Sequence, residues 1–366
     1  VIRRPARAQS RTANLLRLAA IILAPILLSG CYIARAAYEE GRILWNRKPI
    51  DDVLARKDLS PDVRTKLETV LAVRKFAADQ LGENVGGAYE SIAPVDQNAV
   101  VYVVMAAPRD SLVPYTWWFP IVGNVPYRGY FDKNDALAEA ASLEAQGLDT
   151  MVRPSVAFSS LGFFSDPLLT NLLKLDRVEL AGVLIHELFH RTYYLASDAM
   201  FDESAANYVG SAGAVAFFAA TDGESAPSTK AARDILESDL KFARFLLHEQ
   251  ARLLDIYMAD LPKAELDKRR EAAFAAIKAD YAALAPSLSG LERFDLDKQP
   301  LNNAVLVNYL IYFHELDNFA ALHRMNHGDL HATIAQIISI AKAHPDDPFN
   351  AISQVVRDAP PLPAGS

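Results

Sequence analysis

Two histidines four residues apart, with a glutamate directly after the first, carry the most specific chemistry in this 366-residue sequence: His186-Glu187-Leu188-Phe189-His190. An α-helix turns once every 3.6 residues, so His186 and His190 would share one helical face with Cβ atoms about 5–6 Å apart. Each imidazole can then approach a single zinc ion at about 2.0–2.1 Å. Glu187, offset by about 100° around the helix, can reach the open coordination position and take a proton from zinc-bound water. Val183, Leu184, Leu188 and Phe189 supply an apolar surface that can pack this helix into a core.

A catalytic zinc takes three protein ligands and keeps one position for water. The chain has one cysteine, so a further thiolate is not available. Glu203, thirteen positions after His190, is the best third ligand: residues 191–200 can return the chain, and Ala205, Ala206 and Gly210 permit close helix contact. A ligating imidazole donates its other N–H to an oxygen. Asp198, Asp202 and Asn207 are the candidates for that supporting role. Asp202 serves equally well as the N-cap of the following helix.

These residues need elements to hold them. Helical patterns run over 60–81, 132–146, 175–195, 202–220, 229–259, 263–284, 302–325 and 329–343. The valine-rich 99–106 and the stretch 152–158 read as strands, and 114–129 reads as aromatic strands joined by turns. No βαβ repeat and no glycine-rich strand-to-helix motif occurs, which excludes a dinucleotide or P-loop fold. The expected class is α+β, a small mixed or antiparallel sheet followed by a predominantly helical body. Tyr309 and Tyr312, three apart on one late helix, are candidates to donate a hydrogen bond to a reaction oxyanion. Tyr127 and Arg128 on the early aromatic segment are alternatives, and buried core tyrosines are the plainer reading of Tyr309 and Tyr312.

At these residues the chain resembles the glutamate-zincin metallopeptidases, and in particular a bacterial zinc-aminopeptidase family. The likeness runs through Trp117–Gly123, Tyr127–Phe131, Ser159–Leu169, the His186–His190 signature, Phe201–Ser204 and Leu301–Ala304. It implies a zincin-like fold, one zinc ion held by His186, His190 and Glu203, a catalytic Glu187, and a peptide substrate lying near Ala157, Phe158 and Ser159. Relatives commonly have Asn where this chain has Asp202 and Ala where it has Phe189. The implied activity is zinc-dependent peptide-bond hydrolysis, by an aminopeptidase. The alternatives are an endopeptidase or other zinc hydrolase, and a non-catalytic zincin-fold scaffolding lipoprotein.

Charge divides the chain. It carries 37 basic and 45 acidic residues. Five of the basic ones (Arg3, Arg4, Arg7, Arg11 and Arg17) precede Cys31 without an acid, leaving 32 against 45 and a net of −13. That balance argues against a nucleic-acid partner. A basic start, a short apolar run and small residues read as an export signal. Leu28-Ser29-Gly30-Cys31 resembles a bacterial lipobox, which implies lipidation of Cys31, a membrane partner through that lipid, and the periplasmic side of the outer membrane. The expected organisation is a signal over 1–30, a helix or tether over 31–59, a peptidase domain over 60–345 and a polar tail over 346–366. The domain has a sheet-containing part, 60–175, and a metal-binding helical part, 176–345.

Overall fold

A computed structural model describes residues 41–95, 101–119, 122–155, 165–294, 296 and 299–359. Cys31 and the export segment lie outside the described residues, as do Ala157, Phe158 and Ser159. The chain divides after Arg47. In the leading unit residues 41–45 are helical.

In the second unit, β1 (Lys48–Pro49) leads into the short α1 (Ile50–Leu54). Ser60 then caps α2 (Pro61–Leu81), its Oγ accepting from the Val63 amide at 3.3 Å, and Gly82 ends that helix at φ 71°. Proline at the first helical position has no amide to lose there. Six strands or helices follow: β2 (Ser91–Ala93), β3 (Val101–Pro108), β4 (Trp117–Phe119), β5 (Gly123–Val125), β6 (Arg128–Tyr130) and α3 (Lys133–Glu144). β7 (Leu148–Ser155) and β8 (Leu168–Leu169) complete the sheet-bearing part.

The helical body comprises α4 (Arg177–Thr192), α5 (Ala199–Thr221), α6 (Pro227–Tyr257), α7 (Lys263–Leu284), α8 (Asn303–Phe313), α9 (Leu316–Met325), α10 (Leu330–Ala343) and α11 (Pro348–Asp358).

Among the described residues three small sheets form. β6, β3 and β7 make an antiparallel sheet in that order, with Val103 opposite both Gly129 and Arg153. β1, β2 and β8 make a mixed one, and β4 with β5 a hairpin. β3 reads as an unbroken apolar run because both its faces are covered. Val103, Met105 and Ala107 enter the main core. Val104 and Ala106 pack on Ala136, Ala140 and Leu143 of α3.

Several boundaries differ from the sequence reading. β7 begins at Leu148, because its register with β3 continues to Pro108. The helix expected over 302–325 breaks at His314 and Glu315, where Glu315 is left-handed at φ 50°. The break is fixed from outside: the Ser204 hydroxyl donates to the Ile311 carbonyl (2.9 Å) and accepts from the His314 amide (3.0 Å). The polar tail is in part a helix. α11, capped by Asp347, buries Ile352 and sets Phe349 against Phe201 at 5.3 Å. The architecture is otherwise the expected α+β, zincin-like plan, a few short strands set into a helical body.

Candidate metal centre

α4 starts at a capping box. Asp176 accepts from the Val178 and Glu179 amides at 2.7 and 2.8 Å, and the Glu179 carboxylate accepts from the Asp176 amide at 3.3 Å. Leu180, Ala181, Leu184, Ile185, Leu188 and Phe189 are fully buried, which fixes the rotation of the helix and therefore the direction of its histidines. The chain turns back through residues 193–198, where the β4–β5 hairpin clasps it. The Ser197 amide donates to the Val122 carbonyl (3.2 Å) and the Ser197 hydroxyl accepts from the Asn124 amide (3.1 Å).

α5 then runs against α4 with almost no gap. A Cβ placed on Gly210 would lie 2.7 Å from the Gly182 carbonyl oxygen and 3.0 Å from the His186 Cβ. No side chain fits there without moving backbone.

The two helices bring three ligand atoms together. His186 Nε2 and His190 Nε2 are 3.1 Å apart, and Glu203 Oε2 lies 3.2 and 3.4 Å from them. Tetrahedral zinc with bonds of about 2.0–2.2 Å separates its ligand atoms by roughly 3.3–3.5 Å. The triangle therefore has the size of one face of a zinc coordination shell. Among the described residues this is the one cluster of three such groups.

The charges agree with the geometry. Burial alone would raise the Glu203 carboxyl, but His190, then hydrogen bonds from both imidazoles, hold it well below the usual carboxylate range. Burial would lower the His190 imidazolium, but the Glu203 charge and hydrogen bond lift it to about 9. Tyr127 donates from its hydroxyl to Glu203 Oε1 (3.1 Å), leaving Oε2 to face the histidines. Glu187 lies close enough to feel both imidazoles; burial nevertheless keeps its pKa above the ordinary value.

Asp202 is not the helix cap. Asp198 is: it accepts from the Phe201 amide at 3.1 Å. Asp202 sits one turn later, buried, with Oδ1 accepting from the Leu195 amide at 2.8 Å. Burial pushes its carboxyl up to about 8, against the opposing pull of the Leu195 amide and His190. Asp202 Oδ2 and His190 Nδ1 are both buried without a hydrogen-bond partner. The Asn207 side-chain amide donates to the Tyr312 carbonyl at 3.0 Å.

The late tyrosines separate. Tyr312 stacks beside His186, ring centroids 6.3 Å apart at 24°. Tyr309 turns into the core against Phe242, 5.4 Å away and nearly perpendicular. α8 is enclosed on almost every side, so neighbouring positions on it meet different elements. Arg128 points to α3, 3.9 Å from Glu139, a carboxylate shared with the Trp117 indole. Glu139 therefore serves the sheet. Two residues passed over in the sequence complete the surroundings. Arg153 of β7 donates to Asn308 Oδ1 (2.8 Å) and to the Tyr312 hydroxyl (3.1 Å). An arginine inside a strand pattern was the available signal.

A family model described as "Putative aminopeptidase" matches residues 31–351. The chain belongs to the putative aminopeptidase family. The match spans both metal-site helices, the sheet that carries Arg153 and the α8 helix that carries Tyr312. No curated protein and no solved structure matches the chain. Family membership and the buried His-His-Glu cluster together support a metallopeptidase-like function of the general kind.

Proposed function

We propose that this chain is a zinc-dependent aminopeptidase in which Glu187 moves the proton. The observation that carries the reading is the ligand triangle of His186, His190 and Glu203 with the Glu187 carboxyl beside it. Those three residues would hold the ion. Zinc, when bound, supplies a Lewis acid for the scissile carbonyl and acidifies water.

The chain's own groups do the rest. Glu187, raised by burial, is shifted toward the range where an acid–base group works near neutral pH. It accepts the proton of the attacking water and returns it to the leaving amine. The Tyr312 oxygen accepts from Arg153, so its own proton is available to the developing oxyanion. Burial raises that phenol far above its usual range, so it keeps the proton. Among the described residues β7 is an edge strand of its sheet, and it offers an extended peptide a backbone to pair with.

The test uses zinc-loaded protein and its Glu187→Gln variant on peptides with free and blocked amino termini. The variant should keep one zinc per chain and lose hydrolysis by about 10²–10⁴-fold. Zinc binding without hydrolysis of a broad peptide library would overturn the enzyme reading. Cleavage of internal bonds in blocked peptides would replace aminopeptidase by endopeptidase. We also propose attachment to the outer membrane, facing the periplasm, through lipid on Cys31. The support is the Leu28–Cys31 sequence; acyl labelling lost in Cys31→Ser checks it.

A further inference from the structure

Arg153 stands apart from the other enclosed arginines. Buried Arg270 pairs with Asp149, and half-buried Arg177, Arg252 and Arg293 pair with Asp222, Glu249 and Asp239. Half-buried Arg64 lacks an acid but is spent on the Leu54 and Arg56 carbonyls, both at 2.8 Å. Arg153 is half-buried too, yet it has no carboxylate within 4.0 Å among the described residues. Its partners are the neutral Asn308 and Tyr312.

A guanidinium carries five N–H donors in a rigid fork. Asn308 takes the Nε donor and Tyr312 one donor of Nη2. Nη1 makes no hydrogen bond among the described residues and is not sealed away from solvent, so its donors face accessible space. The guanidinium and the His186 imidazole share one neighbour, the Tyr312 ring, whose centroid lies 5.6 Å from the Arg153 Cζ and 6.3 Å from the His186 ring. The fork is held through Nε and Nη2 and has no carboxylate partner among the described residues. Such a fork matches a carboxylate in two parallel hydrogen bonds.

We propose that Arg153 binds a carboxylate of the peptide substrate close to the cleaved bond, and so sets a preference for acidic substrates. The carboxylate is either the free carboxyl terminus of a short peptide or the side chain of an Asp or Glu residue. This inference rests on the peptidase reading above.

Binding without turnover tests it. Zinc-loaded Glu187→Gln protein is titrated by calorimetry with two matched pairs: a tripeptide as free acid and as carboxyl-terminal amide, and an amidated peptide containing Asp or Asn. In at least one pair the acid should bind about 10–100-fold more tightly. Adding Arg153→Gln should erase the difference, while Arg153→Lys, which keeps the charge and loses the fork, should retain part of it. The pair that responds identifies which carboxylate is bound. Equal binding within both pairs overturns the proposal, as does a preference that survives Arg153→Gln in folded, zinc-loaded protein. A preference found in protein whose wild-type form hydrolyses no peptide would leave the carboxylate site standing and remove the peptidase reading. Hydrolysis by wild type without any preference does the reverse.

Discussion

The strand β7 and the helix α8 meet along one seam, and its two ends are built on opposite rules. At the far end Asp149 accepts from the buried Arg270 guanidinium and from the Asn303 amide (2.9 Å). Asn303 in turn donates to the Pro108 and Ser111 carbonyls and accepts from the Tyr257 hydroxyl at 2.7 Å. Asn302 caps α8 and ties it to the Thr150 carbonyl. Charge there is answered by opposite charge, and the polar groups serve to join elements. At the near end Arg153 makes two contacts to neutral partners and keeps donors in reserve beside the metal site. The comparison teaches where to look for a ligand: enclosed charge that the fold completes is structural, and enclosed charge that the fold leaves incomplete awaits something else.

Breaking the completed end should have the largest effect. Asp149→Ala leaves Arg270 buried without its acid, at an expected loss of about 3–5 kcal/mol in denaturant unfolding.

A smaller change sharpens the comparison at a third place. Glu83 is buried, and neither carboxylate oxygen has a hydrogen-bond partner. Burial raises its pKa well above the ordinary value. Its contribution to stability is then complete below the unfolded pKa and is lost as pH rises through the folded one. Glu83→Gln should melt like the parent in acid and increasingly higher as pH rises into that window, by on the order of 1–3 kcal/mol. If the parent shows no such decline, Glu83 is partnered and is no guide to incomplete charge.

The smallest stability effect belongs to the near end. Arg153→Gln should change unfolding free energy by less than about 1 kcal/mol. A loss as large as that of Asp149→Ala would make the two ends alike.

Much of the site was legible because its parts are local. His186, Glu187 and His190 are fixed by helical period, and Glu203 by the length of one turn and the small residues after it. What one sequence does not carry is the exact start of a helix. α5 begins at Ala199, three residues before the expected start, so Asp198 becomes the cap and Asp202 is rotated inward beside His190. Nor does it carry partners distant in sequence. Asn308 is 155 residues from Arg153, and Ser204 closes α8 across 107 residues. Tyr309 and Tyr312 looked equivalent by spacing, and only packing against Phe242 on one side and His186 on the other told them apart.

The bare contact between Gly182 and Gly210 also works as a fulcrum. Gly210 lies seven residues along α5 from Glu203, about 10 Å, while on α4 His186 sits one turn past Gly182. A single methyl group at position 210 must pry the helices apart, and every ligand rides on one of the two arms. The spacing of the three candidate ligands is thus set at a place with no polar side chain. Gly210→Ala should open the gauge and move selectivity toward larger ions, which a zinc–cadmium competition would register.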